Sequence, residues 1–101
     1  ELMFFADDIS SEEALSLGLC NRTVPMAELE SKSREWAESL ASGPSRSFMF
    51  SKWLLNKSLD VDRKTLAEYE AWAVESNSKT HDSQEGIESF KQKRDPEWKG
   101  Y

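Results

Sequence analysis

The sequence is poor in the residue types that most often carry chemistry. It contains one cysteine and one histidine among 101 residues. A single cysteine excludes an internal disulfide and is typical of a reducing compartment, so we expect a cytoplasmic protein. Metal sites need clustered His, Cys or carboxylate side chains, and no such spacing occurs, so no metal ion is expected. The four glycines are isolated from one another, which excludes a glycine-rich phosphate-binding loop.

Long charged and long apolar stretches are also missing. The net charge is −6, and no extended basic stripe is present, so we expect no nucleic-acid partner. No apolar run approaches the ~20 residues that cross a membrane, so no membrane partner is expected. The apolar run near the start, Leu2–Ala6, is too short for the core of a signal peptide.

Aromatic side chains are what the sequence does have, with 4 Trp and 5 Phe. The densest apolar cluster lies between Gly43 and Leu59, where Pro44 suits a first helical position. Apolar side chains there cover more than half of the helix circumference, so we predict a core helix buried by several neighbours. Those side chains are Phe48, Met49, Phe50, Trp53, Leu54 and Leu55.

Two helices are predicted before this core helix. Ser10 and Glu13 form a capping-box pattern, and Gly18 is placed to end a short helix. A second helix is predicted from Met26 to Ala41, with one apolar face. That face carries Met26, Leu29, Trp36, Ala37 and Leu40.

Two more helices are predicted after the core helix. Either Asp60 or Asp62 can cap the first, which fades into a polar loop at residues 76–78. Its expected inward residues are Leu66, Tyr69, Trp72, Ala73 and Val74. Asp82 is the expected cap of the last helix, with Ile87 and Phe90 facing inward and Pro96 as its stop.

Two short stretches complete the predicted fold. The six residues from Glu1 to Ala6 fit either a strand or the tail of a helix. Residues 19–24 alternate roughly and become β-branched before Pro25, which favours a short strand or extended piece. We therefore predict a mainly α fold of about five helices with one short extended segment, in a single region spanning residues 1–101.

The small apolar content indicates that this chain needs a partner surface. Only 38% of the residues are hydrophobic, while ordering the backbone costs about 1–2 kcal/mol per residue. The apolar run Leu2–Phe5 begins without any capping residue, so we expect a fragment of a larger protein. We also expect self-association, because apolar helix faces would otherwise meet water.

No catalytic set is apparent. Cys20 has no histidine near it in sequence, and His81 precedes the expected helix cap, where a solvated loop residue is the simpler interpretation. The carboxylate pairs are explained by caps and solvated faces. Near the C-terminus, Lys93 or Lys99 can pair with a phosphate, and the alternative is compensation of the helix dipole.

Several motifs taken together resemble one family. Residues 9–19 read Ile-Ser-x-Glu-Glu-Ala-x-x-x-Gly-Leu, and Gly43-Pro44 precedes an apolar helix containing Ser51-Lys52. Residues 82–98 read Asp-x-x-Glu-Gly, then Phe90, then Lys-Arg-x-Pro-x-Trp. This combination resembles the C-terminal part of the enoyl-CoA hydratase/isomerase (crotonase) family, and the resemblance extends over essentially the whole chain.

The resemblance implies a fold and an activity beyond these residues. In that family an N-terminal spiral supplies two backbone N–H groups that hold the thioester oxyanion, together with the acid/base carboxylates. The helical C-terminal region drives trimer formation and covers part of the coenzyme A site. The resemblance thus implies a chain of fatty acid metabolism, a homo-oligomer (trimer or hexamer), an acyl-CoA substrate and no further cofactor. It also implies that this chain alone has no catalytic residues.

Two site residues follow from the resemblance. Lys93 matches a lysine that approaches the CoA phosphates in related hydratases, and Val74 matches a position where they place an aromatic ring near the adenine. A valine cannot stack as a ring does. The alternatives are a different reaction within the family (isomerase, dehydratase or hydrolase) and a stand-alone helical protein-interaction module.

Overall fold

The computed structural model describes all 101 residues, and they form six α-helices. The helices are α1 (Leu2–Phe5), α2 (Ser11–Ser16), α3 (Leu29–Ala41), α4 (Ser45–Lys57), α5 (Arg63–Ser78) and α6 (His81–Gln92). A 3₁₀ turn, Met26–Glu28, precedes α3. The mainly helical prediction is confirmed. No helix is both long enough and apolar enough to cross a membrane.

No strand forms anywhere in the chain. Residues 19–24 have irregular backbone, so the strand interpretation of this segment is wrong. A strand needs a neighbouring strand to pair its backbone groups, and this chain offers none. Among the first six residues, Leu2–Phe5 form the single helical turn α1, which agrees with the helical alternative.

The chain divides into two compact units, residues 1–36 and residues 37–101. In the first unit, Ser10 caps α2 by accepting the backbone N–H of Glu13 at 3.1 Å, as the capping pattern predicts. Gly18, at φ +73°, follows the helix in the left-handed conformation. The N–H groups of Gly18 and Leu19 bond back to the carbonyls of Leu15 and Ala14, at 3.1 and 2.9 Å. This is a Schellman termination, and glycine is the residue best suited to it.

In the second unit, α4 packs against α5 through aromatic rings. The ring of Trp53 lies 5.2 Å from that of Tyr69 and 5.7 Å from that of Trp72, and Phe50 meets Trp72 edge-on at 5.9 Å. Edge-to-face and tilted contacts of this kind are favourable beyond the area they bury. Ala73, at the centre of α5, is only 2% exposed. The core between these helices is therefore small and aromatic.

The predicted loop at residues 76–78 is wrong, because α5 continues to Ser78. Asn77 donates from Nδ2 to the hydroxyl of Ser47 on α4 at 3.1 Å, and Ser78 bonds back to the carbonyl of Glu75. Polar side chains here therefore cross-link two helices and do not interrupt one. Asp62 is the residue that caps α5, accepting the N–H groups of Lys64 and Thr65.

Smaller corrections concern two helix starts. The predicted helix from Met26 begins as the 3₁₀ turn and becomes α-helical only at Leu29. Pro44 precedes α4 as its N-cap and is not its first helical residue. Both differences amount to less than one helical turn.

Most of the apolar side chains that were predicted to face inward are exposed to solvent in this chain. On α4, Phe48, Met49 and Leu55 are exposed, so α4 is not enclosed by several neighbours as expected. The same correction applies to the apolar faces predicted on residues 26–40, on α5 and on α6. The exposed residues there include Met26, Leu29, Trp36, Leu40, Trp72, Val74, Ile87 and Phe90. Periodicity identifies these faces correctly, but the chain has no further element to cover them.

Candidate functional site

Asp82 is the most deeply buried carboxylate of the chain, at 2% exposure. Its side chain accepts the backbone N–H groups of Lys99 at 2.7 Å and of Gly100 at 2.8 Å. The backbone N–H of Asp82 itself donates to the carbonyl of Tyr101 at 3.1 Å. The N–H of Lys99 lowers the pKa of Asp82, which burial alone would raise, and the N–H of Gly100 lowers it further. Asp82 thus anchors the C-terminal tail as a carboxylate.

Asp82 was expected to cap α6, and this prediction is wrong. Thr80 caps α6 instead, its hydroxyl accepting the N–H of Ser83 at 3.1 Å. His81 is the first residue of α6, so its interpretation as a loop residue is wrong. Its Nδ1 lies 3.5 Å from the Asp82 carboxylate, and its ring centre lies 5.6 Å from that of Tyr101.

Glu85, one turn further along α6, holds the same tail at a second point. The two terminal guanidinium nitrogens of Arg94, Nη1 and Nη2, donate to its carboxylate, Nη2 at 2.9 Å. The backbone N–H of Glu97 donates to the same carboxylate at 2.8 Å. The Arg94 hydrogen bonds and then the Glu97 N–H lower the pKa of Glu85 to about 2. The hydrogen bonds to Glu85 also raise the pKa of Arg94. Arg94 is therefore committed to this ion pair.

Gly86 gives the tail its third contact. A Cβ at this position would lie 3.2 Å from the Cη2 atom of Trp98, so the indole ring packs directly on the helix backbone. We name this arrangement the C-terminal clasp: Asp82, Glu85 and Gly86 of α6 with Arg94 and residues 97–101 of the tail. Trp98 thus holds the tail against α6. The residues of the motif at positions 82–98 thus hold the C-terminal tail against α6.

Lys93, the first predicted site residue, lies directly after the last residue of α6, at the start of the C-terminal tail. Its backbone is left-handed, at φ 54° and ψ 41°, which is uncommon for a residue with a Cβ. The side chain is exposed and takes part in none of the ion pairs of the chain. Its ammonium is therefore available to an external anion.

Val74, the second predicted site residue, lies on α5 and is 63% exposed. It offers an apolar surface with no hydrogen-bonding group. The structure thus places the two predicted residues on different elements, Val74 within a helix and Lys93 just after one.

An open cavity of ≈ 620 Å³ lies beside the clasp. Most of its surface is apolar, and its lining includes Pro44, Asn77, Ile87, Phe90 and Trp98. Asp82 also reaches it, but the hydrogen bonds from Lys99 and Gly100 occupy this carboxylate. No acid/base pair converges here, so the cavity has the character of a packing groove more than of an active site.

The single cysteine and the single histidine belong to different compact units of the chain. Cys20 is half-buried in the unit of residues 1–36, whereas His81 lies in the unit of residues 37–101. No group of three or more His, Cys, Asp or Glu side chains is arranged to hold a metal ion. The Lys93 ammonium therefore remains the candidate anion contact of this chain.

Sequence reasoning missed the roles of Asp82 and Glu85. The available signal was spacing: residues 82, 85 and 86 recur at i, i+3 and i+4, which places them on one face of a helix. Their partners lie 9 to 18 residues away in an irregular tail, and helical periodicity carries no information about such a segment.

Comparison with protein families gives one match over the whole chain. The family described as Enoyl-CoA hydratase/isomerase matches residues 1–101. Among individual relatives, the chain is 35% identical over 98 residues to "Enoyl-CoA hydratase domain-containing protein 3, mitochondrial" of Mus musculus, covering 97% of this chain and 33% of that protein. It is 30% identical to a short-chain-enoyl-CoA hydratase of Clostridium acetobutylicum, covering 93% of this chain and 36% of that protein.

Solved structures agree with these relatives. An enoyl-CoA hydratase of Geobacillus kaustophilus superposes with a TM-score of 0.88 at 30% identity, covering 95% of this chain and 36% of that one. An enoyl-CoA hydratase of Bacillus anthracis superposes at 0.84 with 36% identity, covering 92% of this chain and 36% of that one. These residues thus have the fold of about one third of those enzymes, and the chain spans about a third of the length of the relatives it matches.

Proposed function

The chain belongs to the enoyl-CoA hydratase/isomerase family, and from that premise we propose that it forms the C-terminal helical region of an enzyme acting on acyl-CoA thioesters. The observation that carries the proposal is the family match over residues 1–101, which the fold likeness to an enoyl-CoA hydratase supports. Both compact units are assigned to this one region.

The proposed reaction is addition of water across the double bond of a 2-enoyl-CoA, a lyase activity of fatty acid metabolism. Such a reaction passes through an enolate, whose negative charge on the thioester oxygen requires positioned N–H donors. It also requires an acid/base pair close to the substrate. We assign neither to the residues of this chain and propose that other parts of the enzyme carry the bond-making steps. The chain alone is expected to be inactive.

Within this scheme Lys93 and Val74 contact the coenzyme A part of the substrate. The Lys93 ammonium is exposed and free of any ion pair, so it is suited to a phosphate as a point charge. Val74 presents an apolar surface beside which an adenine can lie, although without ring stacking. The acyl-CoA thioester is the substrate, and no further cofactor is proposed.

The second proposed contribution is oligomerisation, as a trimer or hexamer. The supporting observation is the number of large apolar side chains left in contact with water, Phe4 being 90% and Phe90 85% exposed. Large apolar side chains that stay exposed are typical of interaction surfaces. Sedimentation of the 101-residue chain should show association in the micromolar range. A compact monomer throughout that range would contradict this proposal.

We propose the cytoplasm as the compartment, because the single cysteine suits a reducing environment. The mouse relative is named mitochondrial, so fractionation of the source cells decides between the two. Recovery of the protein in the mitochondrial fraction would overturn the cytoplasmic proposal.

The alternative function, a stand-alone helical interaction module, shares the exposed apolar surface but needs no anion contact. The coding region distinguishes the two proposals. If it specifies a longer polypeptide, that polypeptide should hydrate crotonyl-CoA, measured by loss of the conjugated enoyl thioester absorbance. Absence of turnover with crotonyl-CoA and with longer 2-enoyl-CoA substrates would overturn the hydratase proposal.

A further inference from the structure

The backbone at Lys93 is held from both sides. On the helix side, the N–H groups of Lys93 and Arg94 bond back to the carbonyls of Phe90 and Ser89, at 3.3 and 3.1 Å. This pattern ends a helix through a left-handed residue, a position that glycine usually fills. Lys93 has a Cβ, so the conformation costs free energy and persists only where its surroundings enforce it.

On the tail side, the enforcing contact is the Glu85 carboxylate. Arg94, the next residue, donates two hydrogen bonds to it, and Glu97 donates its backbone N–H to the same group. Arg94 also donates to the carbonyl of Asp95 at 3.1 Å. A two-bond guanidinium–carboxylate pair fixes the orientation of the two groups as well as their distance. The backbone that follows Lys93 is therefore held in one orientation relative to α6.

We propose that Glu85 is a positioning residue for the acyl-CoA substrate: through Arg94 it fixes the backbone of Lys93 and thereby places the Lys93 ammonium against a phosphate group of coenzyme A. This inference rests on the proposed function of Lys93. It assigns the two basic neighbours different tasks. Arg94 is neutralised by Glu85 and shapes the backbone, whereas Lys93 stays free to meet the anion.

The sign of the effect separates positioning from simple electrostatics. Glu85 is negative and sits beside the basic end of α6, so its charge alone repels an anionic ligand. If charge were its only influence, Glu85→Gln would improve binding of coenzyme A esters. If Glu85 positions Lys93, the same substitution weakens the contact between Arg94 and residue 85, and it therefore weakens binding of coenzyme A esters.

The experiment uses the full-length enzyme with crotonyl-CoA and with crotonyl-pantetheine, which lacks the nucleotide phosphates. We expect Glu85→Gln to raise KM for crotonyl-CoA about threefold, with kcat within about twofold and KM for crotonyl-pantetheine unchanged. The control is Glu68→Gln, which removes an exposed carboxylate of α5 that takes part in none of the ion pairs of the chain. The control should leave both KM values unchanged or lower that for crotonyl-CoA. An unchanged or lower KM for crotonyl-CoA in Glu85→Gln would overturn the inference.

A double substitution tests whether Glu85 acts through Lys93. Lys93→Asn removes the ammonium while keeping a residue that tolerates the left-handed backbone, and it should raise KM for crotonyl-CoA about fivefold. Lys93→Arg should restore most of the loss. Adding Glu85→Gln to Lys93→Asn should then raise KM no further. Independent, multiplicative effects of the two substitutions would contradict positioning.

The possible failures remain distinguishable. If Lys93→Asn leaves KM for crotonyl-CoA unchanged, the proposed role of Lys93 fails and this inference fails with it. If Lys93→Asn raises KM but Glu85→Gln does not, only the positioning role is overturned. Should Glu85→Gln not fold, Arg94→Lys keeps the charge but loses the two-bond geometry, and it should raise the same KM. An unchanged KM in a folded Arg94→Lys enzyme would overturn the positioning role.

Discussion

The carboxylate of Asp82 accepts the backbone N–H of Lys99 at 2.7 Å, although the two residues lie 17 positions apart. With the N–H of Gly100 on its other oxygen, this buried side chain ties the end of the chain to the start of α6. An ionised carboxylate has two oxygens that can only accept hydrogen bonds, so it suits a buried site with two N–H donors. An amide of the same shape has one accepting oxygen and one donating NH₂ group, so it cannot satisfy both donors.

Asp82→Asn should therefore release the tail. The neutral side chain turns a donating NH₂ group toward one of the two backbone N–H donors, which leaves that donor unpaired. We expect amide hydrogen exchange at Lys99 and Gly100 to accelerate about tenfold. Asp95→Asn, in the same tail and exposed, is the control and should change neither rate. Unchanged exchange in Asp82→Asn would contradict the anchoring role.

Gly86→Ala should lack the stabilisation that this substitution usually brings inside a helix. Replacing an interior glycine by alanine typically stabilises by about 0.5–1 kcal/mol. Here the added methyl would lie 3.2 Å from the Trp98 ring, and the clasp restrains the residues on both sides of Trp98. We expect no gain in thermal stability from Gly86→Ala alone.

The usual gain should return when Trp98 is first replaced by alanine, because the obstructing ring is then absent. Thermal unfolding of the single and double variants measures the difference. A full gain from Gly86→Ala in the presence of Trp98 would mean that the ring yields freely and that the contact is loose.

Lys93→Gly should stabilise the protein, in contrast to most glycine substitutions. The left-handed backbone at φ 54° costs a residue with a Cβ free energy that glycine avoids, so we expect a gain of about 0.5–1 kcal/mol. Lys91→Gly is the matched control, since Lys91 lies inside α6 and should lose about 1 kcal/mol. Denaturant unfolding compares them. Equal losses from both substitutions would contradict the left-handed conformation of Lys93.

The ion pair of Glu85 should make stability depend on acid pH. The pKa of Glu85 is about 2 in the folded chain, against an ordinary value of 4.5. As the pH falls below about 4.5, Glu85 binds a proton in the unfolded chain but not in the folded chain. The stabilisation by the Glu85–Arg94 ion pair is therefore lost progressively toward about pH 2. Above about 4.5 the contribution is fully present.

Glu85→Gln should therefore lower Tm by about 5 °C near neutral pH and by progressively less toward pH 2. Thermal unfolding of both proteins at intervals between neutral pH and about pH 2.5 provides the measurement. A Tm difference that stays constant across that range would show that ionisation of Glu85 does not stabilise the fold.

Local sequence signals predicted the helices well because their determinants are local. The Ser10 cap, the Gly18 termination and the Asp62 cap all involve groups within five residues of one another along the chain. The apolar stripes were also identified correctly. Their burial was not, because burial depends on a covering surface that no periodicity within these residues describes.

The candidate site was less predictable for a related reason. Lys93 was selected by resemblance, and its contact with coenzyme A stays a prediction. The clasp that surrounds it depends on contacts such as Glu85 with Arg94 and Asp82 with Gly100, which span 9 and 18 residues. The acid at position 82 looked like a helix cap because caps favour the same residue type.

The central claim is that these helices support and complete an acyl-CoA enzyme without making or breaking bonds themselves. Its most direct test is turnover of crotonyl-CoA by the purified 101-residue chain, measured beside the longer polypeptide of the same coding region. The account predicts hydration by the longer polypeptide and a rate equal to the buffer background for the 101-residue chain. Turnover by the 101-residue chain above that background would contradict it.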